Sequence, residues 1–512
     1  MCGFLFLDQS TPGAVAAAAF QRALDHQQWR GPDAQHVARL ADDRVLIGHH
    51  RLSIVDPVAR ADQPMVSLNG RYVIAYNGEI YNHEAVRRQL SAAFQTHCDT
   101  ETILEGYAEL GERIFDLIDG MFALVIYDQH SGDWIAARDR FGIKPLFIQR
   151  DGHGQTILGS EAAGVAALAG AAPCPQALDE WRLIRRPLPG KSFFAGVDEV
   201  LPGTIVRRDG SVHTYWRLQP SAEPYTQARF DALLADAVRA HEMSDVRNVA
   251  LLSGGLDSAV ITALSQVTRC YCVGLPDNNE FAGAADSARL LQRELINITV
   301  SAAQMQQAWA DLARLRGEPL GVPNEGLIYL VCKHMQPDEK VVLTGEGADE
   351  LLFGYDGIYR WASTATWQGA ADFLLRYGYA DTVAPTARLA AYVEALHEGK
   401  TTLAFVEDFF YAVHLPGLLR RMDFASMAAS KEARVPFVST ALAEYMYRRP
   451  YASKISAQAS KLPLRVLAAS LGLHGALDRK KIGFSAQLDA SASRYAEYAQ
   501  FQSIVLGALQ WS

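Results

Sequence analysis

The fold of the C-terminal part of this chain follows from one stretch, Val249-Ala250-Leu251-Leu252-Ser253-Gly254-Gly255-Leu256-Asp257-Ser258. The four apolar residues at its start predict a strand, and residues 259–266 after it have the pattern of a helix. Two adjacent glycines let the main chain approach an anion, while two hydroxyls and the helix N-terminus supply hydrogen-bond donors. The stretch therefore predicts a phosphate-binding loop. It lacks the Lys that a Walker loop places before its Ser or Thr.

The sequence around the loop indicates a parallel sheet. Beyond residue 229 amphipathic helices separate a few apolar runs, and the predicted strands are Asn248–Leu252, Arg269–Val273, Ile296–Val300 and Lys340–Leu343. Strands spaced by helices are typical of a parallel sheet with right-handed crossovers. We therefore predict a mostly helical domain at 229–512 that is built on a parallel-sheet core.

Acidic residues follow the last predicted strand, in the run Gly345-Glu346-Gly347-Ala348-Asp349-Glu350. Open α/β sheets bind ligands at the carboxyl ends of their strands, so this run should lie beside the loop. Carboxylates next to a triphosphate need a metal ion between them, which makes Asp257 and Asp349 candidate Mg²⁺ ligands. Farther along the chain, Lys461 offers a cation for the negative charge that builds on an acyl-adenylate or on pyrophosphate.

The first 215 residues have a different pattern of apolar and polar residues. Short apolar runs separated by turn residues predict strands, among them Arg44–Gly48, Tyr72–Tyr76 and Met121–Tyr127. Helical periodicity is found at Gly13–His26, His83–Ala93 and Thr100–Leu110. Many strands with few helices favour an α+β layered domain at 1–215. The polar segment 216–228 carries two prolines and is the predicted linker.

Composition limits the classes of function. The chain has 512 residues, 49% of them hydrophobic and 21% charged, as in an ordinary soluble globular protein of several domains. Its net charge of −9 argues against a nucleic-acid partner or an anionic membrane surface. We find no membrane span and no secretory signal, and the six cysteines have no metal-ligand spacing. These features favour a cytoplasmic protein.

Cys2 would become the N-terminal residue after removal of Met1. An N-terminal Cys carries its own general base, because its α-amino group has a pKa of about 8 and lies a few bonds from the sulfur. The Asn77 amide and the Gly78 main-chain N–H could form an oxyanion hole. The planar fork of Arg51 suits a carboxylate.

Two further carboxylates belong to the same set. Glu79 could accept hydrogen bonds from an ammonium group or an amide, and Asp99 either caps the following helix or binds an α-amino group. One ligand satisfies the whole set, an α-amino acid with a side-chain amide, namely glutamine. The Cys2 thiolate would attack that amide and release ammonia through a thioester.

These motifs carry a family resemblance. Cys2, Arg30-Gly31-Pro32-Asp33, Arg51, Asn77–Asn82 and Asp99 resemble a class II, N-terminal-nucleophile (Ntn) glutamine amidotransferase domain, and Ser253–Ser258 resembles the PP-loop of ATP pyrophosphatases. In this order they resemble glutamine-dependent asparagine synthetases of the B type. Supporting stretches are Asp139–Leu146 and Met427–Phe437, and the resemblance extends to about Phe484. It implies a multidomain α/β protein, an αββα Ntn-hydrolase sandwich followed by the PP-loop domain.

The resemblance also implies roles for individual residues. The implied catalytic residues are Cys2, Asn77, Gly78, Glu346, which manages the proton of incoming ammonia, and Lys461, which steadies the adenylated intermediate. Glutamine would be bound by Arg51, Ile54, Val55, Asn77, Gly78, Glu79 and Asp99. ATP would be bound by Leu251, Ser253, Gly254, Gly255, Asp257, Ser258, Val273, Gly345 and Glu346, with Mg²⁺ on Asp257 and Asp349. The expected products are an amide, glutamate, AMP and pyrophosphate.

The acceptor of the ammonia remains open at this point. Aspartate is the first expectation, and a sugar acid or a natural-product precursor is the second, because segments 275–285 and 317–325 do not match an aspartate-binding set. Some relatives form β-lactam rings and generally lack a working glutaminase, so an intact Cys2 site argues against that activity. A glutaminase joined to a sugar isomerase is another alternative, and the PP-loop argues against it. A regulatory homologue without activity is a further alternative. Family members are often dimers, so a homodimer is compatible with the sequence.

Overall fold

The computed structural model describes residues 2–11, 13–378, 384–479, 488 and 494–511. Met1 and residues 480–484 at the end of the family resemblance lie outside the described residues. Below, residues up to 215 are called the N-terminal part and residues from 229 onward the C-terminal part.

The described strands are β1 (Cys2–Asp8), β2 (Ala34–Leu40), β3 (Val45–Arg51), β4 (Met65–Val66), β5 (Tyr72–Ile80), β6 (Gly120–Asp128), β7 (Trp134–Arg138), β8 (Phe147–Arg150), β9 (Thr156–Gly159), β10 (Val197–Glu199), β11 (Thr204–Arg207), β12 (Val212–Thr214), β13 (Arg247–Leu251), β14 (Arg269–Gly274), β15 (Glu294–Thr299), β16 (Glu339–Leu343) and β17 (Glu432–Arg434).

The described α-helices are α1 (Ala17–Asp25), α2 (His83–Arg87), α3 (Asp99–Leu110), α4 (Ile114–Leu117), α5 (Ala162–Ala169), α6 (Pro175–Ile184), α7 (Gln227–His241), α8 (Leu256–Leu264), α9 (Phe281–Leu290), α10 (Ala302–Arg316), α11 (Glu325–Lys333), α12 (Ala348–Leu351), α13 (Asp356–Thr364), α14 (Ala370–Tyr377), α15 (Ala387–His397), α16 (Thr402–Phe409), α17 (Leu415–Met427), α18 (Thr440–Met446), α19 (Tyr451–Lys454), α20 (Leu462–Ser470), α21 (His474–Asp478) and α22 (Arg494–Leu509).

The N-terminal part contains two antiparallel six-stranded sheets, in the orders β10-β8-β9-β1-β3-β2 and β12-β11-β7-β6-β5-β4. Phe4 and Phe6 of β1 face the second sheet, where they share a core with Val73 of β5. The alternate residue Leu5 faces α1 and α5 on the outside. Because both faces of these strands are buried, their sequence is apolar throughout rather than alternating. The predicted αββα sandwich is confirmed.

The C-terminal part is built on a parallel sheet of order β15-β14-β13-β16-β17. Val249 of β13 packs into the same core as Trp309 of α10, whereas Ala250 packs on the other face with Phe230 of α7. The sheet is therefore covered by helices on both sides, as the apolar run at 249–252 predicts. The predicted parallel-sheet core is confirmed.

The order of this sheet determines where a ligand can bind. From β13 the chain moves outward through β14 and β15, and it then returns to the other side of β13 with β16 and β17. The direction in which successive strands are added to the sheet therefore reverses between β13 and β16, although the two strands are parallel. In open α/β sheets this reversal leaves a crevice at the carboxyl ends of the two strands. The loop after β13 and the acidic run after β16 both begin there.

Three local features differ from the sequence-based expectation. The helix predicted over His83–Ala93 ends at Arg87, because segment 91–96 is held by α3 instead, for example by the hydrogen bond from the Ser91 main-chain N to Glu109 Oε2 (2.8 Å). Helix α7 begins at Gln227, inside the predicted linker, since the Thr226 side chain caps it. The short strand β17 was not predicted.

Helices α13–α16 pack around an aromatic cluster beside the sheet, which includes Tyr359, Phe373, Phe405 and Phe409. Within the described part of the chain, no helix combines the length and the apolar character that crossing a bilayer requires.

Two candidate active sites

Cys2 begins β1 and is nearly buried, with 7% of its surface exposed. It stands opposite Arg51 in β3 and lines a cleft together with Gly78, Glu79 and Asp99. Burial raises the pKa of the Cys2 thiol. The thiolate therefore has to be produced by transfer of the thiol proton to a neighbouring base, which is what the α-amino group of an N-terminal Cys provides.

Asn77 is held in place by Cys2 itself. The Cys2 main-chain nitrogen donates to Asn77 Oδ1 at 3.1 Å, which orients the side-chain amide. Asn77 Nδ2 is buried and has no hydrogen-bond partner among the described residues. A buried donor without an acceptor is costly unless a ligand supplies one, so this amide is suited to a developing oxyanion. At Gly78 a Cβ would lie 2.2 Å from the Met121 carbonyl oxygen, so only glycine fits.

Glu79 and Asp99 are both buried beside Cys2, and they differ in their partners. Asp99 is the first residue of α3, and its Oδ2 accepts from the Tyr76 hydroxyl (2.5 Å) and from the Ile80 main-chain N (2.9 Å). It therefore fastens the helix to β5. Glu79 Oε2 accepts from Arg434 Nη2 at 3.0 Å, a contact that crosses to the C-terminal part.

Arg51 and the loop after it form one wall of the cleft. The Arg51 guanidinium donates to the carbonyls of Val55 (3.2 Å), Asp56 (2.7 Å) and Val58 (2.9 Å), and to Asp62 Oδ1 (2.7 Å). In this structure Arg51 therefore holds the loop. A role in binding a ligand carboxylate stays a prediction.

Ile54 and Val55 line the cleft and also reach the C-terminal part. Ile54 belongs to a small apolar cluster with Val341 of β16 and Met427 of α17, and Val55 packs against it. We call the contact between the N-terminal and C-terminal parts the seam. The wall of the Cys2 cleft thus rests directly on the seam.

The loop at 253–258 is closed by its own hydroxyls. Ser258 Oγ accepts from the Ser253 main-chain N (3.0 Å), and Ser253 Oγ accepts from the Gly255 main-chain N (3.0 Å). Helix α8 starts within this stretch, at Leu256, so Asp257 and Ser258 belong to its first turn. Gly254 approaches Glu280 and Gly283 closely enough that a Cβ would be within 3.2 Å of Glu280 Cβ. The arrangement is that of an anion-binding turn at a helix N-terminus.

The other residues predicted to bind ATP lie at the same sheet edge. Leu251 ends β13 and Val273 is next to the end of β14, and both are buried. Gly345 follows β16 and touches the loop, since a Cβ there would be 2.9 Å from the Ser258 main-chain N. The structure therefore places these predicted residues at the carboxyl ends of β13, β14 and β16, around the crevice.

Lys461 lies between the two predicted metal ligands. Its Nζ is 2.6 and 2.7 Å from the two carboxylate oxygens of Asp257, and 2.7 Å from Asp349 Oδ1. Gly354 makes room for this contact, because a Cβ there would be 1.8 Å from Asp349 Oδ1. The two carboxylates thus converge on one cationic atom.

Glu346, the remaining residue that was predicted to be catalytic, forms an ion pair with Arg421 of α17. The Arg421 Nη1 also donates to Asn324 Oδ1 at 3.3 Å, in the segment for which no acceptor-binding set was found in the sequence. Arg421 therefore joins the catalytic candidate to that segment.

Two arginines at the Cys2 cleft were not predicted to have a role. Arg30 Nε donates to the Cys2 carbonyl (2.9 Å), while its Nη2 donates to Asp423 Oδ2 (2.8 Å) in the C-terminal part. Arg434 contacts Glu79 as described. Both residues were noticed in the sequence only as parts of family motifs, in the Arg-Gly-Pro-Asp turn and in the stretch 427–437.

Comparison with known proteins agrees with the motifs. Residues 1–216 match the model of a glutamine amidotransferase domain, and residues 229–506 match that of asparagine synthase. Asparagine synthetase [glutamine-hydrolyzing] 3 of Bacillus subtilis is 28% identical over 94% of this chain and 86% of its own length. Asparagine synthetase 1 of the same organism is 31% identical over 70% and 60%, and asparagine synthetase B of Escherichia coli is 30% identical over 64% and 59%.

The asparagine synthase match covers more than half of the chain, and the amidotransferase match contains the Cys2 cleft. The predicted family is therefore confirmed. This chain belongs to the asparagine synthase family and is a glutamine-dependent ligase with an N-terminal glutamine amidotransferase domain.

Proposed function

We propose that this protein hydrolyses glutamine at Cys2 and transfers the ammonia to an ATP-activated carboxylate, aspartate in the first place, to give asparagine, AMP and pyrophosphate. The observation that carries this proposal is the short path between the two sites. Glu79 of the first site contacts Arg434, whose carbonyl accepts from the Thr344 main-chain N at 3.0 Å, and Glu346 lies two residues farther on. Two sites this close can pass a small intermediate between them.

In the first site, we assign the attack on the glutamine amide to Cys2. The unpartnered Nδ2 of Asn77 and the Gly78 main-chain N–H would hold the oxyanion of the tetrahedral intermediate. Glu79 and Asp99 would bind the amino groups of the substrate, and Arg51, Ile54 and Val55 would contact the rest. Buried Tyr76 supports this set, because burial and the Asp99 carboxylate raise its pKa well above the usual range and keep its hydroxyl a donor.

In the second site, the loop at 253–258 would hold the phosphates of ATP, with Leu251 and Val273 at the base. Asp257 and Asp349 fit a magnesium ion bound together with a nucleotide, since both reach one point and Mg²⁺ in such sites takes one or two carboxylates plus phosphate oxygens. The ion would neutralise phosphate charge when bound. Lys461 would then turn to the phosphates, and Glu346 would take a proton from the ammonia.

The seam offers an apolar way between the sites. Met121 and Ile143 from the N-terminal part share one buried core with Leu252 and Val435 from the C-terminal part. Ammonia that crosses an apolar interior stays uncharged, because the ammonium ion would have to be desolvated. We therefore infer that ammonia passes along the seam toward Glu346.

The acceptor would enter the cavity beside Glu346, which is lined by Arg185, Gly321, Val322, His414 and Arg421 among others. None of the described residues that line this cavity is acidic. The α-ammonium group of aspartate would need an acidic partner. This observation favours, as a second candidate, the same transfer onto a carboxylate without an ammonium group, such as a sugar acid or a natural-product precursor.

The proposal is tested by incubating the processed protein with glutamine, ATP and Mg²⁺, with and without aspartate. We expect aspartate-dependent release of pyrophosphate and AMP, with asparagine among the products. Glutamate release without aspartate-dependent pyrophosphate would move the acceptor to the second candidate. Absence of glutamate release from a correctly processed sample would overturn the glutaminase itself.

A further inference from the structure

Arg434 connects the two parts of the chain at the Cys2 cleft. It ends β17, and its side chain is fully buried at the seam. Besides the bond to Glu79, its Nε donates to Glu432 Oε1 (2.7 Å), and its Nη1 donates to the carbonyls of His241 (2.8 Å) and Met243 (2.5 Å). Every nitrogen of the guanidinium has an acceptor, so the group is fixed in one orientation.

Glu79 uses only half of its carboxylate in this contact. Its Oε2 accepts from Arg434, whereas its Oε1 is buried and has no hydrogen-bond partner among the described residues. The side chain is 3% exposed and lines the cleft beside Cys2. A buried carboxylate oxygen without a donor is costly, so the position suits a ligand that brings an N–H group.

The charge of Glu79 depends on the groups that face it. Burial raises the pKa of Glu79 well above its usual value, Asp99 and Glu432 raise it further, and Arg434 opposes them. The Cys2 nitrogen, which is the α-amino group once Met1 is removed, faces the same cleft. Arg434 is therefore the main side chain that favours an ionised Glu79.

We propose that Arg434 is a positioning residue of the glutaminase site: it acts from the C-terminal part by holding the Glu79 carboxyl group aimed at the amino or amide group of glutamine. This inference rests on the proposed function, because it takes glutamine to be the ligand of the Cys2 cleft. It means that the N-terminal part alone lacks one element of its own binding site.

The main chain of Arg434 explains why the C-terminal part supplies this residue. The Arg434 carbonyl accepts from the Thr344 main-chain N (3.0 Å) and from the Thr344 hydroxyl (3.3 Å), and Thr344 leads directly into Gly345 and Glu346. A single residue thus has its side chain in one site and its carbonyl at the border of the other. Glu79 is correctly held only when β17 is docked beside β16.

The test is glutamine binding by titration calorimetry on the full chain with Cys2→Ala, which binds without turnover. Adding Arg434→Lys keeps the charge but loses the fork, and we expect the dissociation constant to rise about 10- to 100-fold. Adding Arg434→Gln removes the positive charge and raises the pKa of Glu79 further, so binding should weaken more and should be lost at a higher pH than in the Cys2→Ala protein. A structural defect alone would not produce this pH dependence.

A matched control is Arg186→Lys. Arg186 is a buried arginine that pairs with Glu199 (2.7 Å) and reaches the Val413 carbonyl across the seam, but it does not line the Cys2 cleft. It should leave glutamine binding unchanged. If Arg434→Lys does not fold, Glu79→Gln alone should give the same loss of affinity with Arg434 intact.

The double variant decides between a positioning and a general role. If Arg434 acts through Glu79, Arg434→Lys should add no further loss to Glu79→Gln. Additive losses, or an unchanged dissociation constant in Arg434→Lys, would overturn the inference and leave the glutaminase intact. Absence of glutamine binding to the Cys2→Ala protein itself would instead overturn the proposed function.

Discussion

The Cys2 cleft and the loop site at 253–258 differ in whether their polar side chains already have partners. In the cleft, Asn77 Nδ2 and Glu79 Oε1 are buried without a hydrogen-bond partner among the described residues. In the loop site, Lys461 already holds Asp257 and Asp349. The first site presents an unused donor and an unused acceptor, so a ligand can add contacts at these two atoms without breaking any. In the second site the charged side chains are already paired, so a ligand has to replace these ion pairs with contacts of its own.

The difference corresponds to the charge of the proposed ligands. Glutamine carries no net charge, and a fixed set of donors and acceptors can complement it without large electrostatic cost. A nucleotide triphosphate with its metal ion brings charges of both signs. Without a cation between them, the carboxylates of Asp257 and Asp349 would repel each other before the nucleotide and its metal ion bind. The Lys461 ammonium group removes this repulsion.

The largest expected effect separates the two sites altogether. Cys2→Ala removes the nucleophile, so glutamine-dependent synthesis should fall by about 10³-fold or more, while synthesis from added ammonia continues. Both activities are measured as pyrophosphate release under otherwise equal conditions. Loss of both activities in a folded Cys2→Ala protein would contradict the division into two sites.

A smaller change probes the unused donor of the cleft. Asn77→Asp keeps the acceptor for the Cys2 main-chain nitrogen and replaces the free Nδ2 by an oxygen. We expect kcat for glutamine hydrolysis to fall by about 10²- to 10³-fold, because the oxyanion loses a donor and meets a carboxylate. Glutamate release at saturating glutamine measures the effect.

The control for Asn77→Asp is the ammonia-dependent reaction of the same variant. This rate should stay within about twofold of the wild type, since Asn77 has no contact with the loop site. An unchanged kcat for glutamine would show that the buried amide is not the oxyanion donor.

How far the sequence predicts each site depends on the distance between partners along the chain. The loop at 253–258 and the run at 77–79 follow strands directly, so a local pattern of apolar and special residues places them. The contacts of Arg434 with Glu79 and of Arg30 with Asp423 join residues 355 and 393 positions apart. No periodicity marks such pairs, and only the packing of β17 and α17 against the N-terminal part creates them.

The strands show the same limit of prediction from the sequence. The apolar runs of β5, β6, β13, β14 and β16 predict strands because most of their side chains are buried on both faces. The three-residue strand β17 gives no such signal, since Glu432 and Arg434 are charged and are buried through their pairing with each other at 2.7 Å and through the further contacts of Arg434. A buried ion pair of this kind cannot be told from an exposed one by composition.

The smallest expected effect concerns the exchange of cations in the loop site. Lys461→Gln leaves Asp257 and Asp349 facing each other without the ammonium group, so a divalent ion no longer has to displace it. We expect Mn²⁺, measured by electron paramagnetic resonance without nucleotide, to bind about tenfold more tightly than to the wild type. Pyrophosphate release should fall at the same time, since Lys461 is also proposed to contact the phosphates.

Lys340→Gln is the matched control, because Lys340 likewise pairs with a carboxylate, Asp33, at 2.7 Å, but at the seam and away from the loop. It should leave Mn²⁺ binding unchanged, whereas Lys461→Arg, which keeps the charge, should resemble the wild type. If Lys461→Gln binds Mn²⁺ no more tightly, the ammonium group and the metal do not compete. The loop site would then be preformed in the same way as the Cys2 cleft, and the contrast between the two sites would be lost.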